Sequence, residues 1–68
     1  MKYAVVIEQT DRNFSAYVPD LPGCIATGAT VEDVEDNIRA AIAMHIDGLI
    51  EDNVPVPAPR TSTVLVEV

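Results

Sequence analysis

Two residue types that often act as nucleophile or general base in enzymes occur once each in this sequence, as Cys24 and His45. A general base must reach the proton that it abstracts, and an activated thiol needs a cationic neighbourhood. His45 lies on or beside an apolar helical stripe, with no Ser, Cys or second His at a useful spacing, and no base can be assigned to Cys24. Both residues are therefore interpreted as structural, and we predict no catalytic site.

The carboxylates are the other group able to do chemistry, because Mg²⁺ prefers oxygen ligands. The candidates are Glu8, Asp11, Asp20 and the acidic group from Glu32 to Asp36. Helix capping and a solvated helix face account for most of them without a metal. The sequence also lacks a Gly-rich phosphate loop and a Cys-x-x-Cys pair. We therefore expect no metal and no other cofactor.

Charge limits the classes of partner. Four basic and eleven acidic residues give a net charge of −7. A surface of this sign repels phosphate backbones, so direct binding of nucleic acid is not expected. It would speed the encounter with a basic partner, although the same charge could serve solubility alone.

The sequence gives no sign of export or membrane insertion. The start MKYAVVIEQTDRN lacks the apolar core and cleavage site of a signal peptide, and no apolar stretch approaches the ~18 residues of a membrane span. A single cysteine cannot form an internal disulfide and agrees with a reducing compartment. We expect a cytoplasmic protein that does not bind membranes.

Three strands are predicted in the first half of the chain, at Lys2–Gln9, Phe14–Val18 and Cys24–Thr27. Alternating β-branched and aromatic residues indicate the first two, and the turn residues Thr10–Asn13 join them as a hairpin. The connection to the third strand is rich in proline and glycine. Its Pro22-Gly23 pair has the order that a type II turn requires, with fixed φ followed by a residue free to adopt positive φ.

A single long helix follows. Thr30 is placed to cap it, and apolar residues at spacings of three and four predict an amphipathic helix from Val31 to about Asp52. The proline-rich segment 53–59 ends the helix and favours an extended connector. Residues Thr63–Val68 then alternate in the manner of a last strand.

These elements predict an α+β fold of order βββαβ, with one helix packed on a small mixed sheet. Because strand–helix–strand crossovers are right-handed, the last strand is expected to lie parallel beside the first, in the order 3-2-1-4. One helix cannot cover both faces of this sheet, and a chain of 68 residues buries little surface alone. We therefore expect a homodimer or a higher oligomer.

The chain resembles the HicB antitoxin family over almost its whole length. The most specific resemblance is the motif Pro19, Asp20, Leu21, Pro22, Gly23, Cys24, followed by Gly28 and the helix start at Thr30. The helix end His45–Asp52 and the Val54–Pro57 strap also match at the expected distances. This resemblance implies one HicB-like domain over residues 1–68, with a partial ribonuclease H-like fold and no nuclease activity.

The resemblance also implies a function, that of the antitoxin in a type II HicA/HicB toxin–antitoxin system. HicB proteins are similar in neutralising HicA, a small basic toxin that cleaves messenger RNA with a histidine, by covering its active site. The acidic charge fits such a partner. Many HicB proteins add a C-terminal DNA-binding domain, which is not expected in a chain that ends at Val68.

Turn chemistry already explains the motif from Pro19 to Cys24, so we interpret its residues as determining shape. Exposed acids are the better candidates for contact with a partner. By sign and expected exposure these are Asp11, Asp20, Glu32 and Asp36.

Two other functions stay open. One is a solitary oligomeric scaffold with a HicB fold and no toxin, which would lack a small basic reading frame beside its gene. The other is a residual metal-dependent nuclease, for which the sequence offers no recognisable constellation.

Overall fold

The computed structural model describes all residues, 1–68, and places four elements along the chain. They are β1 (Val6–Gln9), β2 (Phe14–Tyr17), β3 (Ile25–Gly28) and α1 (Val31–Glu51). The strands form one antiparallel sheet in the order β1-β2-β3, and α1 packs on β3 and β2. The predicted α+β class, with one helix on a small sheet, is confirmed.

The core lies between α1 and one face of the sheet. Its buried residues are all apolar: Ala16, Val18, Leu21, Cys24, Val34 and Ile38. Half-buried side chains from the first strand and from later turns of α1 pack around them. The helical stripe predicted from the sequence is therefore the face that meets the sheet.

Both ends of α1 are closed by local hydrogen bonds. The Thr30 hydroxyl accepts from the Asp33 backbone N–H at 3.0 Å, as its predicted role as N-cap requires. At the other end Asn53 adopts a positive φ of 58°, and the Val54 N–H donates to the Leu49 carbonyl at 2.8 Å. This is a Schellman closure with asparagine in the left-handed position.

The first strand is shorter than predicted, since it begins at Val6 instead of Lys2. Val6 pairs with Tyr17, the last residue of β2, and Pro19 prevents the ladder from continuing. The Val18 N–H already donates to the Cys24 carbonyl at 3.2 Å. Residues 2–5, which precede β1 in the chain, therefore have no neighbouring strand.

The predicted last strand and its parallel pairing are wrong for the single chain. Residues 63–68 form no strand, so the sheet is purely antiparallel and not mixed. The reason is a contact 41 residues apart, in which Asp20 accepts hydrogen bonds from Thr61 and holds the chain near the end of β2. The ribonuclease H-like label remains a prediction.

Candidate protein-interaction surfaces

The corner between β2 and β3 is formed by residues 18–24 and consists of two successive turns. The Leu21 N–H donates to the Val18 carbonyl, and the Cys24 N–H donates to the Leu21 carbonyl, both at 3.0 Å. Gly23 has a φ of 84°, as the third residue of a type II turn requires. The turns direct the Leu21 side chain into the core, where it is fully buried. The motif thus forms this corner of the fold.

The remaining motif residues bring the helix start close to the sheet. A Cβ on Gly28 would lie 2.5 Å from the Val34 backbone nitrogen and 2.9 Å from the Asp33 carbonyl carbon. Only glycine allows this approach without a shift of backbone. Gly28 and Thr30 therefore fix where α1 begins.

Asp20 was predicted as a partner contact, and its carboxylate is engaged within the chain. Oδ2 accepts from the backbone N–H groups of Arg60 at 2.9 Å and Thr61 at 3.0 Å, and Oδ1 accepts from the Thr61 hydroxyl at 2.8 Å. These hydrogen bonds, the Arg60 one foremost, hold the pKa of Asp20 below its usual value. No local sequence pattern indicates this contact, because its partners are 40 and 41 residues away.

The other three predicted contact residues lie toward one end of the molecule. Asp11 is in the turn between β1 and β2, and Glu32 is in the first turn of α1. Phe14, the first residue of β2, pairs with Gly28, so this turn and the helix start share one end of the sheet. Asp36 lies one helical turn later. Its Oδ1 is 3.7 Å from Nη1 of Arg39, and both side chains of this ion pair are exposed. We call this region, Asp11, Glu32, Asp33 and Asp36, the acidic end.

Cys24 and His45 line one shallow groove with Ile25 and Met44, a proximity that the sequence did not indicate. No hydrogen bond joins the thiol to the imidazole. Burial raises the pKa of the Cys24 thiol, which is the opposite of the shift that activates a nucleophile. The pair is better explained as packing at the edge of the core than as a catalytic dyad.

A larger groove of about 570 Å³ runs between the start of the chain and α1. Val5 and Ile7 form one wall, and Ile38 and Ile42 form the other. Such an apolar, open groove at a sheet edge suits a polypeptide segment better than a small polar substrate. Sequence patterns identified both walls as core-facing, but not that the groove between them is open.

No three His, Cys, Asp or Glu side chains come together in a way that could hold a metal ion. The helix α1 lacks the apolar length needed to cross a bilayer.

Three proteins are similar to this chain in sequence. A protein of the same length class from Thermoplasma acidophilum, in the group named UPF0150, is 34% identical over 67 residues, covering 97% of each chain. A UPF0150 protein of Synechocystis is 39% identical over 56 residues, covering 81% of this chain and 71% of that one. An uncharacterised 14.9 kDa protein of Haemophilus phage HP1 is 37% identical over 57 residues, and the match spans 84% of this chain but 43% of the phage protein.

A solved structure is also similar. It is a chain from a complex described as the HicA3 and HicB3 toxin–antitoxin complex, which matches with a TM-score of 0.76 at 35% identity. The match covers 88% of this chain and 70% of that one. The sequence profile of the HicB-like antitoxins of bacterial toxin–antitoxin systems matches residues 3–67. With nearly the whole chain matched in sequence and fold, this protein belongs to the HicB-like antitoxin family.

Proposed function

We propose that this chain is a cytoplasmic antitoxin that binds a HicA-like toxin and neutralises it by covering the site at which the toxin cleaves messenger RNA. The observation that carries the proposal is the likeness in fold to a chain from a toxin–antitoxin complex. Family membership over residues 3–67 supports the same role. On this account the chain acts by binding a protein, not by catalysis and not by contacting nucleic acid itself.

Electrostatics support a basic partner. The net charge is −7, and exposed carboxylates gather at the acidic end, where only Arg39 pairs with one of them. A toxin that binds RNA needs a basic surface, and an acidic protein competes with RNA for it. We propose the acidic end as the first contact. Asp20 is the weaker candidate for this role, because its carboxylate already accepts hydrogen bonds from Arg60 and Thr61.

The proposal is tested by titrating the purified chain into the product of a small basic reading frame beside its gene. RNA cleavage and complex formation are measured in the same samples. Tight binding with stoichiometric loss of cleavage is the expected result. An active neighbouring toxin that is neither bound nor inhibited would contradict the antitoxin role.

Two double variants with the same net charge distinguish direct contact between the acidic end and the toxin from long-range electrostatic attraction. Asp11→Lys with Asp36→Lys reverses two charges at the acidic end, and Asp47→Lys with Glu51→Lys makes the same change in net charge near the other end of α1. Both pairs should slow association equally at low salt, because steering depends on the summed field. Only the first pair should also raise the dissociation rate, by about tenfold or more. Equal dissociation rates would place the contact elsewhere.

A second candidate is a solitary oligomeric scaffold. It is favoured by the amount of apolar surface that the single chain leaves exposed on its last residues. A chain of this kind would self-associate and have no small basic reading frame beside its gene. The titration above distinguishes the two, since a scaffold would leave cleavage by any HicA-like protein unchanged.

A further inference from the structure

The last seven residues, 62–68, form an apolar segment that the chain itself does not use. We call this segment the tail. Val64, Leu65, Val66 and Val68 are 80%, 101%, 73% and 118% exposed, respectively. The tail donates and accepts no hydrogen bond within the chain, although its alternating residues are typical of a strand.

The single chain is less compact and exposes more surface than a folded domain of this length normally does. Its accessible surface is 5339 Å², whereas a compact protein of this mass exposes roughly 4,200 Å². The radius of gyration is 13.0 Å, compared with about 11 Å for a compact domain of this length. The excess surface, roughly 1,100 Å², exceeds the roughly 800 Å² that one partner contributes to a standard interface, so it is large enough for one.

The groove beside β1 is where a strand is missing. β1 is an edge strand, and the backbone of residues 1–5 takes part in none of the hydrogen bonds outside the regular elements. The walls Val5, Ile7, Ile38 and Ile42 leave an apolar floor next to this open edge. A strand laid here would pair its backbone with the start of the chain and bury every second side chain against the helix.

The chain's own tail does not line this groove. The three hydrogen bonds of Asp20 hold Arg60 and Thr61 beside the corner after β2, one strand inward from the outer edge of β1. In the single chain the groove is therefore open to the tail of a neighbouring molecule.

We propose that the tail of a second copy of this chain occupies the groove and extends the sheet beyond β1. Val64, Val66 and Val68 then face Ile38 and Ile42. Because both copies carry the same tail and the same groove, the exchange is reciprocal and closes as a symmetric dimer. The dimer needs no toxin, so it goes beyond the function proposed above.

Charge favours a second copy over a basic protein as the occupant. Lys2 and Arg39, two of the four cations of the chain, line the groove together with Glu35. The tail carries one charged side chain, Glu67, which would lie near this rim. A basic toxin segment would instead meet two like charges there.

The proposal is tested by light scattering of the purified full chain and of tail variants at micromolar concentration. The expected mass is twice the 7.3 kDa of one chain. Val64→Glu with Val66→Glu should weaken dimerisation by at least tenfold for each valine, since both valines lose their burial. The variant still folds on this account, because the tail makes no contact within its own chain.

Leu65→Glu is the control for the single variants Val64→Glu and Val66→Glu, since each of the three adds one negative charge, and Leu65→Glu adds it on the opposite face of the tail and should leave the dimer intact. Arg39→Glu should weaken the dimer from the groove side. Mixing Arg39→Glu chains with Val64→Glu/Val66→Glu chains should restore association in part, because one intact tail then meets one intact groove. A monomeric wild-type chain would overturn the proposal and leave the groove to another protein. Equal loss for Leu65→Glu would overturn the pairing with the groove.

Discussion

The corner at residues 18–24 and the tail at residues 62–68 are both short and apolar, yet they differ completely in burial. Leu21 in the corner is fully buried, whereas Leu65 in the tail is 101% exposed. The corner makes its backbone hydrogen bonds to residues a few positions away. The tail can make them only with a strand from elsewhere. Turns between nearby residues satisfy the backbone of the corner within one chain. The backbone of the tail can form a β-ladder only with a second strand.

The largest expected difference in unfolding free energy is between substitutions of Leu21 and of Leu65. Leu21→Ala leaves a cavity at a fully buried site, which costs about 2–5 kcal/mol of unfolding free energy. That is comparable with the whole stability of a domain of this size. Leu65→Ala is the matched control and should change the unfolding free energy of the dilute chain by less than about 0.5 kcal/mol. Urea unfolding monitored by circular dichroism measures both, and similar losses would contradict the comparison.

Two glycines give a smaller contrast within the folded region. Gly28→Ala forces a Cβ against the Val34 backbone nitrogen and should destabilise by about 1–3 kcal/mol, because the helix start must shift. Gly48→Ala meets nothing within 4 Å. It replaces a glycine inside α1 and should stabilise by up to about 1 kcal/mol. Opposite signs in the same urea experiment are the expected result, and a neutral Gly28→Ala would contradict the close approach.

The smallest effect concerns Asp20, which joins the corner to the start of the tail. Its folded-state pKa lies below the ordinary value of 3.8, so its contribution to stability is present above that pH and is lost as the pH falls through the lower folded value. Asp20→Asn replaces one of the two carboxylate oxygens that accept these hydrogen bonds with an amide NH₂ group, which cannot accept. The wild type should therefore be the more stable protein at neutral pH, with the difference shrinking below about pH 4.

The control for this experiment is Asp11→Asn, since Asp11 makes no hydrogen bond to the segment before the tail. Its difference from the wild type should be smaller than that of Asp20→Asn at neutral pH. A difference for Asp20→Asn that stays constant down to acid pH would mean that its hydrogen bonds do not contribute through the charged carboxylate.

Sequence patterns predicted the elements that depend on neighbouring residues. Thr30 as the cap, the helix to about Asp52 and the turn at Pro22-Gly23 are all confirmed, because each is set by residues within a few positions of one another. The walls of the groove were also recognisable, since alternation on Val5 and Ile7 and helical spacing on Ile38 and Ile42 define a face.

What failed depends on contacts between distant residues. The alternation in Thr63–Val68 predicted a last strand that the single chain does not contain, since a strand needs a partner and Thr61 is hydrogen-bonded to Asp20 instead of lying beside β1. No local pattern encodes a contact of this kind. The same reason applies to Asp20 itself, which looked like a free surface acid and is engaged at both oxygens. The acidic end and the homo-oligomer remain predictions.

The central claim is that the corner and α1 form their hydrogen bonds within one chain, whereas the tail forms them only with a second copy. Amide hydrogen exchange of the purified chain at increasing concentration tests this claim most directly. We expect the corner and α1 to be protected at every concentration, because their hydrogen bonds lie within one chain. Protection of residues 62–68 and of residues 2–5 should rise together as the chain associates. A tail that exchanges freely at all concentrations, or that is protected at the lowest, would contradict this account.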